Sequence, residues 1–278
     1  MISAIIPVGD FNRDYQNLVD TIESCRQSNV EIVIVNDSSN LSSRMEKTLL
    51  KLGNEKLHIV NSSARSPGGA RNIGLKYVTG DNVIFWDSDD QPEIDKLFMM
   101  DNILRSTKCD FVVGGYMQIE ENLNRKYHEP QIHSLKMLTN PGIWRVLFKR
   151  NSIKKLKFIN SKIGEDQIFM GDVLDLELTG FAFNEKVYTY RKNFKSLTSS
   201  ANLISNFETT FNEIEIKIRQ GSKTQELIFF NLLLSYIKRT NIRYMKKSVK
   251  ALKLALHNFK PNSFSRIFMI LFLKMTYK

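Results

Sequence analysis

Asn82-Val83-Ile84-Phe85-Trp86-Asp87-Ser88-Asp89-Asp90 runs from an apolar segment into a cluster of acids without a spacer. Its apolar residues, which follow Gly80-Asp81, predict a buried strand entered from a turn. Clustered carboxylates repel one another and are costly to desolvate, so they suit a ligand-binding strand end better than a core. Mg²⁺ or Mn²⁺ would offset their charge, because both ions prefer oxygen ligands. The alternative is a solvated acidic turn that caps the next helix.

Strands and helices alternate through the first part of the chain. Each predicted strand is a continuous apolar run, which is typical of a mostly parallel sheet covered on both faces. The fold class is therefore α/β. The predicted strands are Ser3–Val8, Glu31–Asn36, Leu57–Asn61, Val83–Trp86 and Asp110–Gly114, and the predicted helices are Arg13–Ser28, Arg44–Leu52, Ile73–Tyr77 and Glu93–Arg105.

Beyond Gly115 the pattern is less regular, and everything from Asn202 onward is predicted to be helical. The further predictions are a hairpin of Tyr116–Ile119 with Arg125–His128, a strand at Trp144–Phe148, a helix over Asp166–Leu178, and short strands at Phe181–Asn184 and Val187–Arg191.

Composition indicates an ordered globular protein. The 278 residues are 42% hydrophobic and 25% charged, with 13 Gly and 6 Pro. Cys25 and Cys109 have no motif spacing, which favours reduced thiols in a cytosolic protein. We expect no signal peptide, because the first apolar run is short and has no basic region before it. No apolar run is long enough to predict a membrane-spanning helix.

Charge is distributed unevenly along the chain. The net charge is +11, and the segment after Glu226 contains 11 Lys and Arg residues and no Asp or Glu, so residues 1–226 are neutral overall. The segment 238–278 is therefore a candidate contact for an anionic membrane surface. Packing of a helical bundle on the first domain and nucleic-acid binding are the alternatives, and no aromatic platform supports nucleic acid.

Three loops at predicted strand ends bring acids to one edge of the sheet, namely those with Asp10, Asp37 and the Asp87–Asp90 cluster. Near this edge, Gly68-Gly69-Ala70-Arg71 opens a helix, where backbone N–H groups and an arginine can hold a phosphate. Asp37 could accept a hydrogen bond from a base N–H, or it could cap the helix that follows.

Five motifs in this order resemble family 2 glycosyltransferases of the GT-A fold, of the bacterial surface-polysaccharide type. The resemblance covers about residues 1–195, and the order of the motifs is more specific than any one of them. The motifs are Ile5-Ile6-Pro7-Val8, Ile34-Val35-Asn36-Asp37-Ser38-Ser39, Gly68-Gly69-Ala70-Arg71-Asn72-Ile73-Gly74, Phe85-Trp86-Asp87-Ser88-Asp89-Asp90 and Gly164-Glu165-Asp166.

The resemblance implies a nucleotide-binding α/β sandwich and a set of site residues. Asp37 would contact the base, Asp87 the ribose and Asp89 a Mn²⁺ or Mg²⁺ cofactor, while Asp166 would be the general base. The implied nucleotide-binding residues are Pro7, Val8, Asp37, Gly69, Arg71, Asp87 and Ser88, the metal residues are Asp87 and Asp89, and the catalytic pair is Glu165 and Asp166. Without the other motifs, Glu165 and Asp166 would be ordinary carboxylates at a helix N-terminus.

Two further positions have both a functional and a structural interpretation. Trp144 could stack on an acceptor sugar, or it could belong to a core strand. Arg191 could contact the diphosphate of the donor, or it could be a surface arginine.

The chain after residue 200 lies beyond the resemblance. We expect a catalytic domain over 1–200 and a basic helical region over 201–278 that contacts a membrane or serves in oligomerisation. An apolar helical stripe and an apolar run over 267–273, between Arg266 and Lys274, suit an interfacial helix. The stripe consists of Met245, Val249, Leu252, Leu256 and Phe259.

The sequence as a whole predicts an inverting, metal-dependent glycosyltransferase that is peripheral to the cytoplasmic face of the cell membrane. Its donor would be a nucleotide-sugar, for which we expect UDP, and its acceptor a glycan or lipid-linked oligosaccharide. One alternative is a sugar-nucleotide-forming nucleotidyltransferase, which would need a Gly- and Arg-rich phosphate loop in place of Val8-Gly9-Asp10-Phe11. The other is a non-catalytic nucleotide-binding scaffold at the membrane surface.

Overall fold

The computed structural model describes residues 1–120, 122–132, 137–138, 141–192 and 203–239. The strands are β1 Ile2–Val8, β2 Val30–Asn36, β3 Leu57–Asn61, β4 Asn82–Phe85, β5 Gln91–Pro92, β6 Phe111–Ile119, β7 Arg125–His128, β8 Val146–Lys149 and β9 Gly180–Arg191. The α-helices are α1 Phe11–Cys25, α2 Ser43–Gly53, α3 Pro67–Gly74, α4 Ile94–Ser106, α5 Arg150–Ile153, α6 Glu165–Asp175, α7 Leu203–Arg219 and α8 Lys223–Arg239. Short 3-10 turns at Asn54–Lys56 and Ile143–Arg145 precede β3 and β8.

The strands of the described residues form one sheet in the order β3-β2-β1-β4-β8-β6-β9-β5, with β7 paired to β6. Six strands run in one direction, while β5, β7 and β8 run against it. This confirms the prediction of a mostly parallel α/β sheet. The carboxyl ends of β1, β2 and β4 lie side by side, so the loops after Val8, Asn36 and Phe85 meet at one edge.

Helices cover both faces of the sheet because each strand buries apolar side chains on both sides. In β1, Ala4 and Ile6 pack with residues of α1, α2 and α4. Ile5, between them, packs on the opposite face with residues of α3, α5 and α6. Within the described residues the predicted elements are present with shifted ends, except that a 3-10 turn replaces the start of the strand predicted over 144–148. The two short strands predicted over residues 181–191 form the single strand β9, with a bulge opposite Gly114 and Gly115.

The helices α7 and α8 pack on α6 rather than apart from the α/β unit. A third apolar cluster joins them, including Ile168 of α6, Phe207 and Ile214 of α7, and Ile228 and Leu232 of α8. The expected boundary near residue 200 therefore does not coincide with a break in packing among the described residues.

The described part of the chain contains no helix that is both long and apolar enough to cross a membrane. The predicted amphipathic stripe and the apolar run over 267–273 lie outside the described residues.

Candidate active site

A cleft of about 1100 Å³ opens at the sheet edge where β1, β2 and β4 end. Its walls come from the loops after these strands, from the start of α6 and from α8. Among the predicted site residues, those that line it are Pro7, Asp37, Arg71, Asp87, Ser88, Asp89, Trp144, Glu165 and Asp166. The sequence thus predicted residues from six separate segments that the fold brings to one cavity.

The acidic loop after β4 is held from behind by α1. The Ser88 hydroxyl donates to Asp14 Oδ2 at 2.6 Å, and Asp14 is buried. The Asn17 amide donates to the carbonyl oxygens of Ser88 and Asp90 at 2.8 and 2.7 Å. These contacts fix the backbone of the loop, so the carboxylates of Asp87 and Asp89 are presented to the cleft on a rigid support.

Tyr188 of β9 holds the same loop from the sheet side. The Asp87 backbone N–H donates to the Tyr188 hydroxyl oxygen at 3.0 Å. The buried Asp90 carboxylate accepts from the Arg191 backbone N–H at 2.8 Å, and burial raises the pKa of Asp90 to about 9. Asp90 therefore supports the loop, whereas its neighbours at 87 and 89 face the cleft.

Arg71 of α3 joins the two acidic parts of the cleft. One guanidinium nitrogen donates to Asp87 Oδ1 and another to Glu165 Oε1, each at 2.9 Å. The side chain is only 4% exposed, and it lies over the Phe158 ring at 5.4 Å. Burial works against its charge, but Asp87 and Glu165 keep the pKa of Arg71 raised. This arginine fixes the distance between the acidic loop and the start of α6.

The carboxylates of the acidic loop fit a divalent cation. Desolvation raises the pKa of Asp87 despite Arg71, and desolvation followed by repulsion from Asp87 raises that of Asp89. A bound cation would relieve this cost by favouring the charged forms. No group of three or more His, Cys, Asp or Glu side chains arranged for a metal is found in the described ranges.

Asp166 lies at the first turn of α6, where it is partly exposed to the cleft. Burial and then the neighbouring Glu165 raise its pKa to about 7, which places a proton acceptor in the physiological range. The helix begins after Gly164, whose φ of +74° is the left-handed region that glycine tolerates. A Cβ at Gly164 would also lie 2.9 Å from Leu232 Cδ1.

Asp37 is held at the end of β2 by contacts from the loop before α3. Its Oδ1 accepts from the Ser62 hydroxyl at 2.7 Å and from the Arg65 backbone N–H at 3.0 Å. It does not cap α2, the alternative considered from the sequence, because the Ser42 hydroxyl accepts from the Met45 N–H there at 3.2 Å. Asp10 instead caps α1, and hydrogen bonding to Asn40 lowers its pKa.

Trp144 belongs to an aromatic cluster of the core and also lines the cleft. It is 8% exposed and stacks on Tyr188 and Tyr190 with ring centroids 4.4 and 5.6 Å apart. Tyr116 meets it edge-on at 4.8 Å. Trp144, Tyr116 and Tyr190 also line the cleft. Both interpretations of Trp144 thus have support, since an aromatic cluster of the core forms part of one wall.

Three predicted site residues do not line the cleft. Val8 is fully buried, and its carbonyl oxygen accepts from the Asp37 N–H at 3.0 Å. The Gly69 N–H donates to the capping Ser66 hydroxyl at 3.1 Å, so it is not offered to an anion as the sequence suggested. The Arg191 guanidinium contacts Gln91 at 3.1 Å behind the acidic loop. Each of these three residues lies next to the cleft and contacts a segment that forms its wall.

Sequence reasoning missed the residues that reach the site through distant contacts. Asp14 and Asn17 contact a loop more than 70 positions away, and Tyr188 contacts one 101 positions away. The sequence shows that Asp14 and Asn17 stand beside the apolar face of α1, but it does not show that they contact the acidic loop. Gln167, Leu232 and Ser235 also line the cleft. For Leu232 and Ser235, helical periodicity alone gave no reason to place them there.

Comparison with known proteins gives a family and a fold. A family model described as "Glycosyl transferase family 2" matches residues 3–173. Glycosyltransferase GlyA of Streptococcus pneumoniae serotype 4 is 27% identical over 218 residues, which cover 71% of this chain and 31% of GlyA. The Escherichia coli protein WfgD, named a UDP-Glc:alpha-D-GlcNAc-diphosphoundecaprenol beta-1,3-glucosyltransferase, is 28% identical over 146 residues, covering 51% of this chain and 57% of WfgD.

The chain thus spans less than two thirds of the length of these two relatives. Among solved structures, that of S. aureus TarS 1-349 in complex with UDP-GlcNAc superposes with a TM-score of 0.70 at 17% identity, covering 90% of this chain and 79% of the TarS chain. That likeness supports the GT-A fold predicted from the motifs. The family model covers more than half of the chain and includes all six acidic residues that line the cleft, so the chain belongs to glycosyl transferase family 2.

Proposed function

We propose that this protein is an inverting glycosyltransferase that moves a sugar from a UDP-sugar to a glycan or lipid-linked oligosaccharide. The observation that carries the proposal is the bridge made by Arg71. It ties Asp87, in the loop suited to a metal and a diphosphate, to Glu165, which precedes a carboxylate with a pKa of about 7. One cleft then holds the groups needed for a leaving nucleotide and for an activated acceptor.

The donor nucleotide would bind across the carboxyl ends of β1 and β2. Pro7 and Asp37 line this part of the cleft. Asp37 Oδ1 already accepts two hydrogen bonds, so its second carboxylate oxygen would take a ring N–H of the base. Ligands bind at this end of the strands in open α/β sheets.

Asp89, with Asp87, would hold Mn²⁺ or Mg²⁺. When bound, such an ion stabilises the negative charge that develops on the departing diphosphate. The contacts from Asp14 and Asn17 hold the backbone of the loop in place against the repulsion between its carboxylates. Arg71 lies against Asp87 and adds a fixed positive charge on the same side of the cleft.

Asp166 would act as the general base. It would take the proton of the acceptor hydroxyl as the acceptor oxygen bonds to the anomeric carbon and the bond from that carbon to the diphosphate oxygen breaks. A single displacement from the face opposite the leaving group inverts the anomeric centre, and it needs no second carboxylate as a nucleophile. Glu165, held by its ion pair with Arg71, would orient the Glu165–Asp166 pair in the cleft.

Two observations support a lipid-linked oligosaccharide as the acceptor, namely the activity for which WfgD is named and the charge of the C-terminal segment. WfgD is named for transfer to a sugar on diphosphoundecaprenol. The segment 238–278 is basic throughout and has no acid, which favours attraction to anionic lipid. We therefore place the protein at the cytoplasmic face of the membrane, where it would meet a lipid-linked acceptor.

Donor binding in the presence of Mn²⁺ tests the proposed metal and diphosphate site. Asp89→Ala should abolish the Mn²⁺-dependent part of UDP binding measured by calorimetry. Asp95→Ala removes an exposed acid at the start of α4, away from the cleft, and should bind as the wild type does. Equal Mn²⁺-dependent binding by Asp89→Ala and the wild type would exclude Asp89 from the site.

A further inference from the structure

The helix α8 forms the wall of the cleft beside Asp166, although it lies outside the residues 3–173 that define the family. Leu232 and Ser235 line the cleft together with Gln167, which follows Asp166 in the chain. The opposite part of the cleft, with Asp37 and the acidic loop, is the part suited to the nucleotide. The group that meets α8 is therefore the one that approaches Asp166.

Direct contacts join α8 to the start of α6. The Asn231 amide donates to Gln167 Oε1 at 3.2 Å. Leu232 packs over Gly164, so closely that a Cβ there would lie 2.9 Å from Leu232 Cδ1. The side chains on this face of α8 thus touch the residues immediately before and after the Glu165–Asp166 pair.

Buried polar contacts fix the helix in this position. The Gln225 amide donates to the Ile168 carbonyl and to Asp172 Oδ1, each at 3.0 Å. Lys217 of α7 makes an ion pair with the same Asp172 at 2.6 Å. Two points of α6 are therefore tied to α7 and α8, in addition to their shared apolar core. A wall held in this way can select among ligands by shape.

We propose that α8 forms the acceptor subsite, with Ser235 and Leu232 selecting the acceptor glycan and Asn231 positioning Gln167 to contact it. The inference rests on the proposed glycosyl transfer and names which residues determine its acceptor. A hydroxyl, an amide and an apolar side chain together match the alternating polar and apolar surfaces of a sugar ring. Because α8 lies outside the family region, acceptor choice can change without any change in donor chemistry.

The first test separates acceptor use from donor use. UDP release from UDP-glucose and UDP-N-acetylglucosamine is measured with Mn²⁺, with water alone and with a panel of octyl glycosides. In Ser235→Trp the ratio of the glycoside-stimulated to the water-dependent UDP release should fall by about tenfold or more, because the indole would occupy the space beside the wall. Leu227→Trp is the matched control, since Leu227 is 48% exposed on the same helix outside the cleft. Equal glycoside stimulation in both variants would overturn the proposal.

Asn231→Ala tests the positioning residue. We expect the KM for the glycoside to rise about 2- to 10-fold, the range for one hydrogen bond between neutral groups, with the KM for the UDP-sugar unchanged. A merely structural role would change both KM values alike. That outcome would remove Asn231 from the acceptor subsite.

A second measurement does not depend on turnover. Ser235→Cys introduces a thiol on the cleft wall, while the native Cys25 and Cys109 are buried. Octyl glycosides should slow labelling of the introduced thiol by a maleimide, and octanol alone should not. Unchanged labelling with every glycoside overturns the acceptor subsite. If the wild type releases no UDP while glycosides still protect the thiol of Ser235→Cys, the proposed transfer is contradicted and the subsite stands.

Discussion

Arg71 neutralises carboxylates that would otherwise repel each other inside the cleft. It is 4% exposed and pairs with both Asp87 and Glu165, while its Nε has no partner atom among the described residues. The ion pairs are therefore set in a partly desolvated environment, where the loss of one partner leaves uncompensated charge.

Replacement of Arg71 by Met should destabilise the fold by about 3–5 kcal/mol, the usual cost of removing one partner from a buried ion pair. Thermal or urea unfolding measures this change. Arg219→Met is the control, because Arg219 pairs with Glu215 on the surface of α7 and is 62% exposed. Its loss should cost about 0–1 kcal/mol. Equal losses in the two variants would contradict the role of Arg71.

The residues that face the cleft were predictable, and those that hold them were not. Asp37, Asp87, Asp89 and Asp166 stand at strand ends or at a helix start, and local sequence identifies such positions. Tyr188 acts through a contact across 101 positions, which only the folded chain reveals. The use of the Gly69 N–H by Ser66, three residues before it, is by contrast a local helix-capping contact that the sequence interpretation overlooked.

At the scale of elements, the junction between α6 and α8 determines where Asp166 stands. Gly164 combines a φ of +74° with a close approach by Leu232, whereas Gly221 has a φ of +97° with no atom within 4 Å of a Cβ. The two glycines share a positive φ and differ in packing, so their alanine variants form a matched pair.

Gly164→Ala should destabilise the protein more than Gly221→Ala and should also reduce sugar transfer, because it moves the start of α6 away from α8. The strain of a left-handed alanine alone costs about 1–3 kcal/mol, and this part is common to both variants. Unfolding and UDP release measured together check the expectation. Transfer by Gly164→Ala at the wild-type rate would show that the junction does not position Asp166.

The alternation of strands and helices was sufficient to predict the α/β class, but pairing was not predictable. The sequence predicted a strand over 144–148, and the structure has a 3-10 turn followed by β8, which runs antiparallel between β4 and β6. The two-residue strand β5 was not predicted, because it is defined by its pairing with β9 and has no pattern of its own. Strand order is set by long-range packing, which one sequence does not display.

At the scale of the whole molecule, a neutral α/β part is joined to a basic C-terminal segment. The protein should bind vesicles that contain anionic phosphatidylglycerol, and binding should weaken as salt is raised because exposed charges are screened. Deletion of residues 261–278 should reduce sedimentation with these vesicles. Neutral phosphatidylcholine vesicles are the control, and undiminished binding of the deletion variant would place the anchor elsewhere.

The most direct test of sugar transfer with Asp166 as its base is UDP release as a function of pH. Asp166 must be deprotonated to accept a proton, and its pKa is raised to about 7, so the kcat/KM of the wild type should rise with pH through about 7 and then level off. Asp166→Asn should bind UDP as the wild type does and show low turnover at every pH. Turnover of Asp166→Asn at the wild-type rate, with the same pH profile, would contradict the account.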